Sequence, residues 1–245
     1  VNALEVLRRE ADLLAMSALG QPPHKGVPAC PGLNLGETVR HVGSGCHWTL
    51  EYIRLGHQPR EWQRHPADGQ DPLDFMRSAA EAVIEELAAH DEDEPCATWW
   101  PRQQNYGFWR RRLAHETTVH RMDVQGAAGM EAGPVDDEVA LDGVDEVLTL
   151  WLGHKLDTLG VRGSRDEFVA VRVEDRMWLT RCGPQGASAW QVEPEDAEHA
   201  DALVTANPMT MYRWLWGRLP DRLIEVYGDH DAIAQLWALL RLATK

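Results

Sequence analysis

The sequence predicts an α+β chain, with an all-helical domain over residues 1–162 and a smaller α+β domain over residues 163–245. Three observations carry this reading. Apolar residues recur at helical spacing through the first two-thirds of the chain. Near Gly160 the pattern changes to short alternating runs. The length of 245 residues, with 44% hydrophobic and 26% charged residues, is globular and allows one large domain or two small ones.

Taken in order, residues 3–19 place Leu4, Val6, Leu7, Ala11, Leu14 and Ala15 on one helical face. A loop dense in Pro and Gly follows, QPPHKGVPACPGLN. A second helix spans 35–55, with Asn34 as N-cap and Glu37 completing a box-like start. The polar stretch GHQPREWQRHPADGQ connects it to a third helix over 71–90, capped by Asp71 with Pro72 at its first position. Acidic DEDEP ends that helix. PRQQNYG leads into a fourth helix, 108–125, stopped by Gly126 and Gly129, and 134–159 reads as a fifth. Then EFVAVRVEDRMWLTRC gives a hairpin around Glu174-Asp175. Strands at 187–192, 202–205 and 223–226, and helices at 208–217 and 230–243, complete the chain.

Charge narrows the function classes. With 39 Asp+Glu against 24 Lys+Arg the net charge is −15, which repels phosphate backbones and anionic membranes alike. No apolar run approaches the roughly 18 residues of a membrane span, and the N-terminal segment lacks the apolar region of a secretory signal. Cys30, Cys46, Cys96 and Cys182 are scattered without a CxxC pair, which argues against a disulfide framework or a cysteine zinc site. A reducing cytoplasm is the expected compartment.

The densest chemistry lies in RRLAHETTVHRMD of the fourth helix. Glu116 and His120 are i, i+4, about 40° apart around a helix, and Asp123 lies about 20° off the line through Glu116. The spacing is HExxxH, not the HExxH of metalloproteases. His115 sits about 140° from His120, so the two do not easily share one ion. The second helix offers His41, flanked by Val39 and Val42 with Gly43 and Gly45 nearby; His47 faces largely away from it. In an antiparallel bundle, inward side chains of two helices meet. His41, Glu116 and His120 then make a two-histidine, one-carboxylate site for a borderline divalent ion, with Asp123 orienting a ligand imidazole. A solvated polar face accounts for the same spacing. Cys46 is a candidate nucleophile or, more simply, a buried inert thiol.

VPACPG, ETVRHVGSGCHW, RRLAHETTVHRMDVQGAAG and DEVALDGVDEVL fall in the order of one family. The chain resembles the mycothiol-dependent maleylpyruvate isomerase family over nearly its whole length. That resemblance implies an N-terminal DinB-like, up-down four-helix metal-binding bundle and a small sterol-carrier-like α+β domain. It implies zinc on His41, Glu116 and His120, and a cytoplasmic enzyme using mycothiol, a pseudodisaccharide thiol, against a small electrophile. It also places Arg218, in GRLPDRLIEVYGD, facing the metal cleft as a carboxylate binder. One departure, Leu33-Asn34 where many members carry Trp-Thr, bears on the small substrate and not on the ligands.

The implied chemistry is metal activation of the thiol. An isomerase adds the thiolate to a conjugated double bond, lets the single bond rotate and expels the thiol. A transferase leaves the thiol on the product. The metal constellation hosts either, and the broader thiol-transfer reading is favoured here, with isomerase as runner-up. A non-catalytic small-molecule-binding protein that keeps the metal, and a hydrolase in which the metal activates water, are the competing classes.

Overall fold

The computed structural model describes residues 1–244. The chain divides into two compact units, Asn2–Gly133 and Pro134 onward. The first unit holds four long helices, α1 (Ala3–Ala18), α2 (Leu35–Leu55), α3 (Pro72–Ala88) and α4 (Tyr106–Ala127). α1 packs on α4, α2 packs on α3, and α2 also meets α4.

Local chemistry sets the helix starts. Asn34 Oδ1 accepts from the Glu37 amide while the Glu37 carboxylate accepts from the Asn34 amide, a complete capping box that fixes where α2 begins. Asp71 caps α3 through the Leu73 amide, and Asn105 caps α4 through Phe108. Gly43 lets α2 approach α3: a Cβ there would lie 2.7 Å from the Phe75 ring. α4 starts earlier and ends later than its expected span, running straight through Gly126; Gly129, at φ 77°, follows it.

α4 buries an unusual amount of polarity, including Arg112, His115, His120, Arg121 and Asp123. Burying charge is costly unless it is paired. Arg121, fully buried, donates through Nε to Glu10 Oε2 of α1 at 2.7 Å and through Nη1 to Gln125 and the Gly133 carbonyl. Glu10 is fully buried as well. A non-local ion pair therefore sets the register between α1 and α4.

The second unit begins with α5 (Asp137–Glu146), which continues through a π-helical stretch, Val147–Lys155, into the short α6 (Leu156–Thr158). Periodicity alone anticipated one plain helix here. The expected domain boundary at 162/163 falls instead inside this unit, at the change from helix to strand. α5 packs on α7 (Pro208–Leu215), and the π-helical stretch packs on β3, so this helix belongs with the sheet. Contact with strands that come later in the chain decides the division, and helical periodicity does not report it.

The sheet has the order β3-β2-β1-β4-β5, with β1 (Glu167–Val173) and β4 (Ala202–Thr205) parallel and the other neighbours antiparallel. β2 is Arg176–Gly183, β3 is Gly186–Val192 and β5 is Glu225–Gly228, the last two residues later than expected at each end. The β1–β2 hairpin turns at Glu174-Asp175, with Glu174 at φ 53°. α8 (His230–Ala243) closes the unit. No described helix is long and apolar enough to cross a membrane.

The Glu10–Arg121 pair yields a stability prediction. Removing Arg121 leaves the buried Glu10 carboxylate with only the longer contact from Arg9 Nε, 3.4 Å, so Arg121→Met should lower unfolding free energy by up to about 3–5 kcal/mol. Denaturant unfolding reads this, and a loss below about 1 kcal/mol, the worth of an exposed pair, would contradict the role given to the pair.

Candidate metal centre

The capped start of α2 and the α2–α4 packing bring His41 against the polar stripe of α4. His41 Nε2 lies 3.0 Å from Glu116 Oε1, and His120 Nε2 lies 3.2 Å from the same oxygen. The imidazoles meet edge to face, centroids 4.8 Å apart. The ligating atoms of His41, Glu116 and His120 all fall within 4.8 Å of one another. The three residues singled out in the sequence thus converge.

Neighbours fix each member. Arg112, one helical turn before Glu116, donates through Nη2 to Glu116 Oε2 at 2.8 Å. That leaves Oε1 to the two histidines. Asp123 Oδ2 lies 3.0 Å from His120 Nδ1, which turns Nε2 toward the cluster. Cys30, in the loop before α2, donates its thiol to the same Asp123 oxygen at 3.9 Å.

The charges respond to this arrangement. Burial pushes the Glu116 carboxyl up, but hydrogen bonds from His120 and His41 and the charges of His120 and Arg112 outweigh it and hold Glu116 well below the usual carboxylate range. Burial pulls His120 down, yet its hydrogen bonds to Asp123 and Glu116, with their negative charge, raise it to about 9. Burial, followed by the charge of Glu116, pushes the Cys46 thiol up to about 12, so it stays protonated and is no nucleophile at neutral pH.

A divalent ion fits this donor set. A tetrahedral ion with bonds of about 2.0–2.1 Å holds its ligand atoms roughly 3.3 Å apart. The two histidine-to-carboxylate distances, 3.0 and 3.2 Å, are close to that separation. Two neutral imidazoles and one carboxylate suit zinc or a similar borderline cation, and three protein ligands leave room for an exogenous one.

Two other histidines named from the sequence lie outside the cluster. His115 is buried but does not join the cluster, and His47 packs against Phe75 with centroids 5.1 Å apart. Arg218 follows α7 in the second unit, where its amide donates to the Arg213 carbonyl and its Nη1 to the Trp216 carbonyl. Sequence reasoning gave Arg112 no role, although its i, i+4 spacing to Glu116 was visible. It missed Cys30 and Trp62, whose indole lies 5.7 Å from the His41 ring. Both come from irregular segments, and no periodicity marks them.

Residues 4–125 match the domain described as mycothiol maleylpyruvate isomerase N-terminal domain, and residues 138–235 match the MDMPI C-terminal domain. No curated protein matches the sequence. The fold is similar to the crystal structure of the mycothiol-dependent maleylpyruvate isomerase, with a TM-score of 0.60 and 12% identity over 93% of this chain and 92% of that one. It is equally similar, at a TM-score of 0.60 and 11% identity over 93% and 92% of the two chains, to that of a histidine-to-alanine mutant under the same name.

Two predictions follow from the geometry. A group with a raised pKa keeps its proton up to that value, so His120, at about 9, must lose one when it binds an ion. Zinc affinity should therefore rise about tenfold from pH 7 to pH 8, with one proton released per ion; calorimetry in buffers of different ionisation heat reads both, and a flat profile would contradict the assignment. Asp123→Ala should weaken zinc binding by roughly 10–100-fold; unchanged affinity would reduce Asp123 to a structural partner of Cys30.

Proposed function

We propose, for a chain that belongs to the mycothiol maleylpyruvate isomerase family, that it isomerises a small unsaturated acid with mycothiol as thiol cosubstrate and a divalent ion, zinc, on His41, Glu116 and His120. The observation that carries the reading is the convergence of those three side chains in the unit that matches the family's N-terminal domain. The family's name supports isomerisation over net thiol transfer, the reading the sequence alone favoured.

When bound, the ion lowers the pKa of a coordinating thiol and makes it a nucleophile near neutral pH. The chain's own residues prepare the place. Glu116 remains ionised and supplies the negative charge. Arg112 holds one carboxylate oxygen, so the other faces the histidines. Asp123 accepts from His120 Nδ1–H and so turns the lone pair of Nε2 toward the cation position. Cys46, buried and protonated, does not compete as an internal thiol. In the same proposal, Arg218 is the cation that recognises the substrate carboxylate, a task for which the guanidinium fork is suited.

The experiment is turnover of a cis-unsaturated oxo acid by zinc-loaded protein, with and without mycothiol. Rearrangement without mass change, absolutely dependent on the thiol and lost in His120→Ala, is the expected result. A stable thiol adduct would turn the reading to transfer, cleavage with uptake of water at equal rates without thiol would turn it to hydrolysis, and no turnover with any thiol and electrophile would leave a binding protein. Arg218→Lys should raise KM for the acid roughly tenfold with zinc content unchanged; an unaltered KM would remove Arg218 from the site.

A further inference from the structure

The polar connection between α2 and α3 has no helix or strand, yet it is stitched to α2 beside the metal centre. Ser44, fully buried, accepts from the Arg64 amide at 3.1 Å, and its hydroxyl lies 3.0 Å from the Arg64 carbonyl. Arg40 Nη1 reaches that same carbonyl at 3.4 Å. The Arg64 guanidinium pairs with Glu51 and Glu61. These bonds hold Trp62, two residues earlier, in place.

The Trp62 indole lies against α2 at Gly45, where a Cβ would meet only its Cη2, at 3.6 Å. It meets Trp48 in a T-shaped contact at a centroid distance of 5.1 Å, and its ring lies 5.7 Å from that of His41. His41 is the more exposed of the two histidines, its side chain 31% accessible against 11% for His120. Trp62 itself is 39% exposed. A large aromatic ring that packs on α2 is thus held, partly exposed, beside the more accessible histidine of the metal centre.

Resting on the proposed function, we infer that Trp62 is the specificity-determining wall for the thiol cosubstrate, packing against the sugar part of mycothiol. A ligand whose sulfur reaches the ion beside His41 extends past this indole. The C–H faces of a pyranose or cyclitol ring pack on an aromatic face, and two exposed polar residues, Gln63 and His65, follow Trp62 in the chain. The guanidinium on the same segment, Arg64, already pairs with two carboxylates, which makes the unsaturated acid the poorer occupant.

Calorimetric binding of mycothiol and of N-acetylcysteine, which lacks the sugar, to zinc-loaded wild type, Trp62→Ala and Trp62→Phe tests this. Trp62→Ala should bind mycothiol about tenfold more weakly, with N-acetylcysteine changed by less than about twofold, and Trp62→Phe should recover most of the loss. Zinc content and KM for the acid should stay as in wild type. Equal weakening for both thiols, undiminished mycothiol binding, or a raised KM for the acid in place of the thiol effect would each overturn the inference alone. Should Trp62→Ala not fold, Trp62→Leu keeps an apolar residue without the aromatic face and must show the same split. Wild-type zinc protein that binds neither thiol would overturn the functional reading itself, and this inference with it.

Discussion

A single carboxylate organises the helical unit. Glu116 is taken out of water on α4, which by itself would favour its neutral form. Three partners reverse that preference: Arg112 on one oxygen, His41 and His120 on the other. Arg112 and His120 lie on α4 with the carboxylate, so His41 is the partner through which it constrains where α2 lies along α4. The capping box at Asn34 and Glu37 starts α2 at the residue that brings His41 opposite Glu116. The same contacts that make the charge tolerable leave a compact set of cation ligands.

The rest of α4 follows the same logic. A helix this polar does not stay buried through the hydrophobic effect alone. Arg121 meets Glu10 from α1, His120 meets Asp123 within its own helix, and Arg112 meets Glu116. Buried ionic contacts of this kind are better at selecting one arrangement than at adding stability. In this unit they select the arrangement in which the inner imidazole nitrogens and one carboxylate oxygen point at a common place. The loops add what the helices lack: Cys30 reaches Asp123, and the segment after α2 carries Trp62 to the exposed edge.

Much of this was legible in the chain, and the reason is locality. The span of α2, its capping box and the hairpin at Glu174-Asp175 depend on residues a few positions apart. So does the stripe of Glu116, His120 and Asp123. His41 needed one further assumption, that two helices of a bundle face each other. Other features were not legible because distant segments create them. The Ser44–Arg64 stitch that holds Trp62, the thiol of Cys30 at Asp123, and the Glu10–Arg121 pair leave no periodic trace. The division of the chain before α5 follows from packing of that helix on α7 and the sheet. The π-helical turn Val147–Lys155 has the apolar spacing of an ordinary helix and is hidden for that reason.

In the function proposed, His41, Glu116 and His120 hold an ion whose remaining position accepts a thiol. X-ray absorption at the zinc edge of the loaded protein tests it most directly. The account predicts a shell of two imidazole nitrogens and carboxylate oxygen, and the appearance of one sulfur at about 2.3 Å when mycothiol is added. A zinc shell without two imidazoles, or one that gains no sulfur in the presence of the thiol, would contradict it.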